Sequence, residues 1–203
     1  MKLIDGGRAP NPRRVRIFLA EKGIALPTET LDMAAREHLS EAFRAINPMQ
    51  RLPVLVLDDG TPIAESVAIC RYFEELQPDP PLFGIGARER ALVEMWNRRM
   101  EFELYLRISA AFRHRHPAMA EMEVPQVPAW GEVCGTKAIE VLRWLDAELA
   151  ARPYIAGDAF TIADITALVA VDFMKPARLH MPEDLANVAR WHRSVSARPS
   201  ASA

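Results

Sequence analysis

Apolar residues recur along the chain with two different periods, and the change from one to the other divides it. Lys2 to Asp5 is a brief apolar run that reads as a strand. A Gly/Pro-rich turn follows, and then Val15, Phe18 and Leu19 fall at helical spacing up to Gly23, a C-cap signal. Around Thr28 to Leu31 the pattern is extended again, and a polar, helix-compatible run from Arg36 to Ile46 ends before Pro48. Val54 to Leu57 is a compact aliphatic strand, Asp58-Asp59-Gly60 a hairpin turn and Thr61 to Ile63 the return strand. Glu65-Ser66 opens a further helix whose Val67, Ile69, Cys70, Phe73 and Leu76 share one face. The pattern predicts a mixed α/β domain over residues 1–77.

Pro78, Pro80 and Pro81 cannot continue that helix, so residues 78–87 read as a linker. Beyond it the period stays helical. Arg88 to Phe112, Trp130 to Ala150, Thr161 to Phe173 and Leu185 to Ala197 are four amphipathic or buried helices, which predicts an all-helical domain over 88–203. Thr161 and Asp164 stand at capping-box spacing, flanked by Phe160 and Ile165 as a hydrophobic staple, and this is folding chemistry rather than catalysis. The residues after Pro199 are expected to fray.

Composition narrows the partners. Half the residues are hydrophobic, enough for two modest cores, and 25 Lys+Arg against 27 Asp+Glu leave no general attraction to nucleic acid or anionic membrane. No run reaches the roughly 18 apolar residues of a membrane span, and the first residues are polar where a secretory segment is apolar, so a cytoplasmic chain is expected. Cys70 and Cys134 lack CxxC or metal-ligand spacing, so neither a disulfide nor a metal is expected.

Three short motifs can carry chemistry. Ala9-Pro10-Asn11-Pro12 marks a helix start with Asn11 as N-cap, and such a start presents N–H groups and partial positive charge to an anion such as a thiolate. In Gln50-Arg51-Leu52-Pro53, a proline directly before a buried strand leaves Leu52 with an open backbone edge, and Pro53 is a candidate cis proline. Glu65-Ser66 offers a carboxylate for an ammonium, and a hydroxyl with helix N–H groups for a carboxylate. Each alone has an ordinary structural reading.

In this order, with the proline linker and the late Thr-x-x-Asp box, the chain resembles the cytosolic glutathione transferases over nearly its whole length. The resemblance implies a thioredoxin-like N-terminal domain that holds glutathione and a helical C-terminal domain that supplies most of the pocket for a hydrophobic electrophile. It implies that Glu65 and Ser66 grip the γ-glutamyl end, that the Leu52 backbone before Pro53 pairs with the cysteinyl part, and that His38, Gln50 and Arg51 lie near the glycyl carboxylate. It further implies a homodimer. Trp96, Met100, Tyr105, Arg107, Phe112 and Arg113 are candidates for lining the electrophile pocket, although aromatic and Met residues at helical spacing also make plain core. The run Arg113-His114-Arg115-His116 suits an anionic co-substrate or a solvated face.

The chain departs from the family pattern at Ala9. Theta-, zeta-, omega- and beta-type relatives carry Ser or Cys near this position, other classes use an N-terminal Tyr, and Ile4 stands where that Tyr would be. Asn11 remains as the catalytic candidate, an arrangement similar to the bacterial nu-type enzymes. The expected activity is glutathione transfer to an electrophile. A glutathione-dependent disulfide reductase and a non-catalytic ligand-binding protein are the alternatives.

Overall fold

A computed structural model describes residues 1–203, in two compact units. The first comprises Met1–Leu82 together with Pro199–Ala203, and the second Phe83–Arg198.

In the first unit, β1 (Lys2–Asp5), α1 (Pro10–Glu21), β2 (Thr28–Thr30), α2 (Glu41–Ile46), β3 (Val54–Val56), β4 (Pro62–Ala64) and α3 (Ser66–Leu76) follow in order. The sheet order is β2-β1-β3-β4. β1 and β2 are parallel because α1 carries the chain back between them, whereas β3 runs antiparallel to both β1 and β4. A tight turn with Gly60 at φ 86° closes the β3–β4 hairpin. Side chains alternate across the sheet. Ile4 and Val54 pack with Phe43 of α2 in a cluster edged by Leu31, Ile46, Leu52, Val56 and Ala64, while α1 and α3 pack against each other with Phe18, Ile69 and Phe73 buried.

The structure changes or sharpens the sequence reading at four points in this unit. Residues 36–46 are not one helix: Ser40 has extended backbone and its hydroxyl accepts from Phe43 N at 3.2 Å, so a 3₁₀ turn at Glu37–Leu39 ends and α2 begins afresh. The N-cap of α1 is Ala9, with Pro10 as first and Asn11 as second helical residue, so Asn11 does not cap. At α3 the cap position belongs to Glu65, and Ser66 is the first helical residue. The chain end does not fray, since Pro199–Ser202 forms a 3₁₀ turn on the first unit, where Arg13 donates to the Ala201 carbonyl at 3.0 Å and the buried Ser200 donates to Glu21.

Lys22 and the prolines after α3 meet. The Lys22 ammonium has no solvent exposure, pairs with Glu74 at 2.5 Å and donates to the carbonyls of Gln77, Pro78 and Pro80. A segment that cannot form helix has its carbonyls satisfied by one cation.

The second unit holds α4 (Gly86–Arg99), α5 (Leu106–Arg115), α6 (Pro128–Leu149), α7 (Ile162–Phe173) and α8 (Ala186–Ser196). Met100–Tyr105 forms a π-helical segment between α4 and α5 in place of the uniform helix the periodicity predicts. Every residue of α7 from Ile162 to Val171 is buried, so this helix is the axis of the unit. Asn97 of α4 reaches it through a 2.6 Å hydrogen bond from the Thr166 hydroxyl. The capping box forms, with Thr161 N donating to Asp164 Oδ2 at 2.9 Å. Asp164 does more than cap: its Oδ1 also accepts from Ile155 N and Trp191 Nε1, both at 2.9 Å.

Candidate functional site

Strand direction brings the three motifs to one end of the sheet. Because β1 and β3 are antiparallel with Ile4 opposite Val54, the exit of β1 lies beside the entry to β3. Because Val54 is also opposite Ala64, the exit of β4 lies on the other side of that entry. The loop leading to Ala9 and Asn11, the Leu52-Pro53 pair and the Glu65-Ser66 pair therefore converge. Gly6 marks how closely: a β-carbon there would lie 3.1 Å from Leu52 Cδ1 and 3.5 Å from Pro12 Cγ.

At the start of α1, prolines leave few donors. Pro10 and Pro12 have no N–H, and Arg13 N donates to the Ala9 carbonyl at 3.2 Å, so of the first turn only the Asn11 N–H stays open. The Asn11 side chain is half-buried, and its Oδ1 is enclosed without a hydrogen-bond partner. One residue thus supplies both the free backbone donor and an amide not tied into the fold.

The Leu52–Pro53 bond is cis, as the sequence suggests. The β3 ladder begins only at Val54, which leaves Leu52 at the open edge. Upstream, Asn47 organises the turn, donating from Nδ2 to the Arg51 carbonyl at 2.8 Å and accepting from Met49 N at 3.2 Å. Gln50 stands at φ 52° and donates to the His38 carbonyl at 3.3 Å. His38 is buried, with neither ring nitrogen hydrogen-bonded. Burial, followed by the positive charges of Arg51 and Arg36, holds its pKa below the usual value, so the ring is neutral near pH 7. Arg51 is exposed.

Glu65 is exposed and adopts φ 69°, a conformation that costs a non-glycine residue about 1–3 kcal/mol and clusters at ligand clamps. Ser66 is buried, and its hydroxyl oxygen accepts from Arg14 Nη1 at 2.7 Å. That bond turns the hydroxyl proton away from Arg14 and frees it to donate. Sequence reasoning missed Arg14. The available signal was its place three and four residues before Ile17 and Phe18, on the buried face of α1. Apart from these residues, a groove of about 410 Å³ beneath α2, lined by Ile4, Thr30, Leu31, Phe43 and Ile46 among others, includes none of the predicted site.

In the helical unit the candidate pocket residues have different fates. Trp96 is buried between Trp144, stacked at 5.2 Å, and the Arg152 guanidinium 4.0 Å from its ring centre. Met100 and Tyr105 are buried, the latter 6.4 Å from the Phe173 ring. Arg107 pairs with Glu103 one helical turn away, and Arg113 with Glu123 at 2.5 Å. Phe112 is half-buried, its ring 5.0 Å from Phe173.

Comparison with known proteins places this architecture. Residues 9–76 match the glutathione S-transferase N-terminal domain and residues 128–194 the C-terminal domain. Glutathione S-transferase 2 of Saccharomyces cerevisiae is 36% identical over 98% of this chain and 87% of its own length. The chain belongs to the glutathione S-transferase family. Among solved members, a glutathione S-transferase domain-containing protein of Marinobacter aquaeolei superposes with a TM-score of 0.95 at 39% identity, covering 98% of this chain and 99% of its own. Gtt2 of Saccharomyces cerevisiae superposes at 0.94 and 36% identity, with 100% and 99% covered. The fold is the transferase fold, a thioredoxin-like sheet unit and a helical unit, and the family uses glutathione. No helix is long and apolar enough to cross a membrane.

Proposed function

We propose that this transferase binds glutathione at the common end of β1, β3 and β4 and lowers the pKa of its thiol for attack on an electrophilic small molecule. The convergence of Asn11, Leu52-Pro53 and Glu65-Ser66 at that end carries the reading. The groups present fit the tripeptide. The exposed Glu65 carboxylate suits the γ-glutamyl ammonium, and the Ser66 hydroxyl, oriented by Arg14, suits its carboxylate. The Leu52 edge suits the cysteinyl backbone. Neutral His38 with Gln50 and Arg51 suits the glycyl carboxylate.

Asn11 supplies the activation. Taking a thiol from about 8.5 to about 6.5 requires roughly 2.7 kcal/mol of preferential thiolate stabilisation. A hydrogen bond to a charged group contributes about 1.5–3 kcal/mol. The Asn11 N–H and amide, at a helix N-terminus, therefore suffice without the hydroxyl that Ala9 lacks. Activation and positioning are the whole device, with no covalent intermediate on the protein. Of the predicted lining, Arg107, Phe112 and Arg113 keep accessible surface, whereas Trp96, Met100 and Tyr105 are buried.

The functional protein is a cytoplasmic homodimer in this reading. Ile69, Cys70 and Phe73 of α3 are buried inside the first unit, so their face is not free for a second subunit. The exposed Leu92 and Met95 of α4, with Phe102 and Leu106 beyond it, are the better candidate in the helical unit.

Absorbance of the bound thiolate against pH tests the assignment. Since Asn11 is not a cap, Asn11→Ala should melt like the parent while its bound-thiol pKa rises, and Asn11→Asp should raise it further by adding a negative charge. An unchanged midpoint in both variants eliminates the Asn11 side chain and leaves the backbone N–H groups of α1 as the source of activation. Tight glutathione binding without conjugation of an aryl halide would instead identify a binding protein.

A further inference from the structure

The run Arg113-His114-Arg115-His116 divides in space. Arg113 is paired with Glu123, His114 Nε2 lies 3.7 Å from the same carboxylate, and His114 Nδ1 accepts from Val127 N at 3.2 Å. Arg115 and His116 instead line a separate cavity of about 50 Å³ with Ala177 and Arg178, and no carboxylate lines it.

Three features shape this cleft, in which Arg115 and Arg178 are exposed and His116 is half-buried. α6 comes so near at Gly131 that a β-carbon there would lie 2.7 Å from Arg115 Cγ and 3.0 Å from Cδ, so the arginine stem occupies the space a side chain on α6 would need. Arg178 stands at φ 56° in the turn after α7, where Ala177 N and Leu179 N bond back to the carbonyls of Phe173 and Met174. Glycine is the preferred residue in that left-handed position, and here an arginine is kept. The His116 ring stacks on Phe112 at 4.8 Å, and its Nδ1 accepts from Ala118 N at 3.2 Å, which leaves the ring proton on Nε2 as a donor.

We propose that Arg115, His116 and Arg178 form a binding site for one oxyanion group, a carboxylate, sulfonate or phosphate. Two guanidinium forks and a ring N–H are matched by a compact oxyanion through charge-assisted hydrogen bonds. The cavity has room for one such group and not for a larger body. The anion is either a free inorganic ion or the acid group of an aromatic molecule whose ring reaches the half-buried Phe112. The site is independent of thiol activation, so its test does not depend on that reading.

The probes are sodium phosphate and sodium benzoate, each against sodium chloride at matched ionic strength, read by melting temperature and calorimetry on the full chain. Phosphate should raise the melting temperature saturably beyond chloride. Arg178→Gly should melt no lower than the parent without phosphate, because it relieves the positive φ, yet lose the phosphate response. Arg115→Gln should weaken binding roughly tenfold or more. Benzoate binding tighter than phosphate, and lost in the same variants, supports the site and identifies an organic acid as its ligand; weaker benzoate binding supports it with a free anion. No saturable response to either probe beyond chloride, or a response unchanged in both variants, overturns the proposal.

Discussion

Arg14 and Ser66 are 1% and 5% exposed and meet at 2.7 Å, so that one buried hydrogen bond ties the start of α1 to the start of α3. The two helix ends that carry the proposed thiol and γ-glutamyl contacts are thereby held in one geometry.

If Arg14 acts on glutathione by orienting the Ser66 hydroxyl, the two residues are coupled. Arg14→Met and Ser66→Ala should each weaken glutathione binding by about 1–3 kcal/mol. The double variant should cost no more than the larger single loss. Calorimetric affinities of the four proteins form the cycle, and additive losses would show that the two act separately.

Lys22 and Glu74 form a buried pair whose worth lies in not being broken. Lys22→Met removes the ammonium that pairs with Glu74 and that serves the carbonyls of Gln77, Pro78 and Pro80, with an expected loss of about 3–5 kcal/mol. Lys22→Met with Glu74→Leu should recover part of that loss, since the carboxylate that loses the ammonium is removed with it. Urea midpoints measure both, and a double variant no more stable than Lys22→Met would refute the account.

Asp164 is fully buried, and that burial pushes its pKa up to about 6, against the pull of the hydrogen bonds from Ile155, Trp191 and Thr161. Between pH 4 and 6 the folded chain therefore holds a proton the unfolded chain has released, so this group's contribution to stability falls as pH rises through that window. The fall is roughly 3 kcal/mol for a shift of about two units. Unfolding free energies of the parent and Asp164→Asn at pH 4 and pH 7 isolate it. The parent's advantage over the variant should shrink toward pH 7, and a constant or growing advantage would contradict the raised pKa.

Much of the fold was legible because the signals are local. The Asp58-Asp59-Gly60 turn, the prolines at 78, 80 and 81 and the Thr161–Asp164 spacing each act within one turn of chain and appear where the sequence puts them, while the helical periods hold except at Ser40 and over Met100–Tyr105. Local signals also misled where two were equivalent. Both Asn11 and Ser66 are good caps by residue type, yet the chain enters each helix one or two residues earlier, at Ala9 and Glu65. Ser40, another residue of the same type, does cap.

The sequence by itself determined that this is a two-domain glutathione transferase fold and named the short motifs of its candidate site, because turn chemistry, prolines and apolar period constrain the backbone over a few residues. Only the tertiary structure decided which groups remain open to a ligand. Arg14 meets Ser66 across 52 positions, His38 is enclosed without a partner for its ring, and the basic run at 113–116 splits between Glu123 and Arg178. Those outcomes depend on pairings between distant segments, and burial and charge compensation are properties of the packed chain that no window of sequence contains.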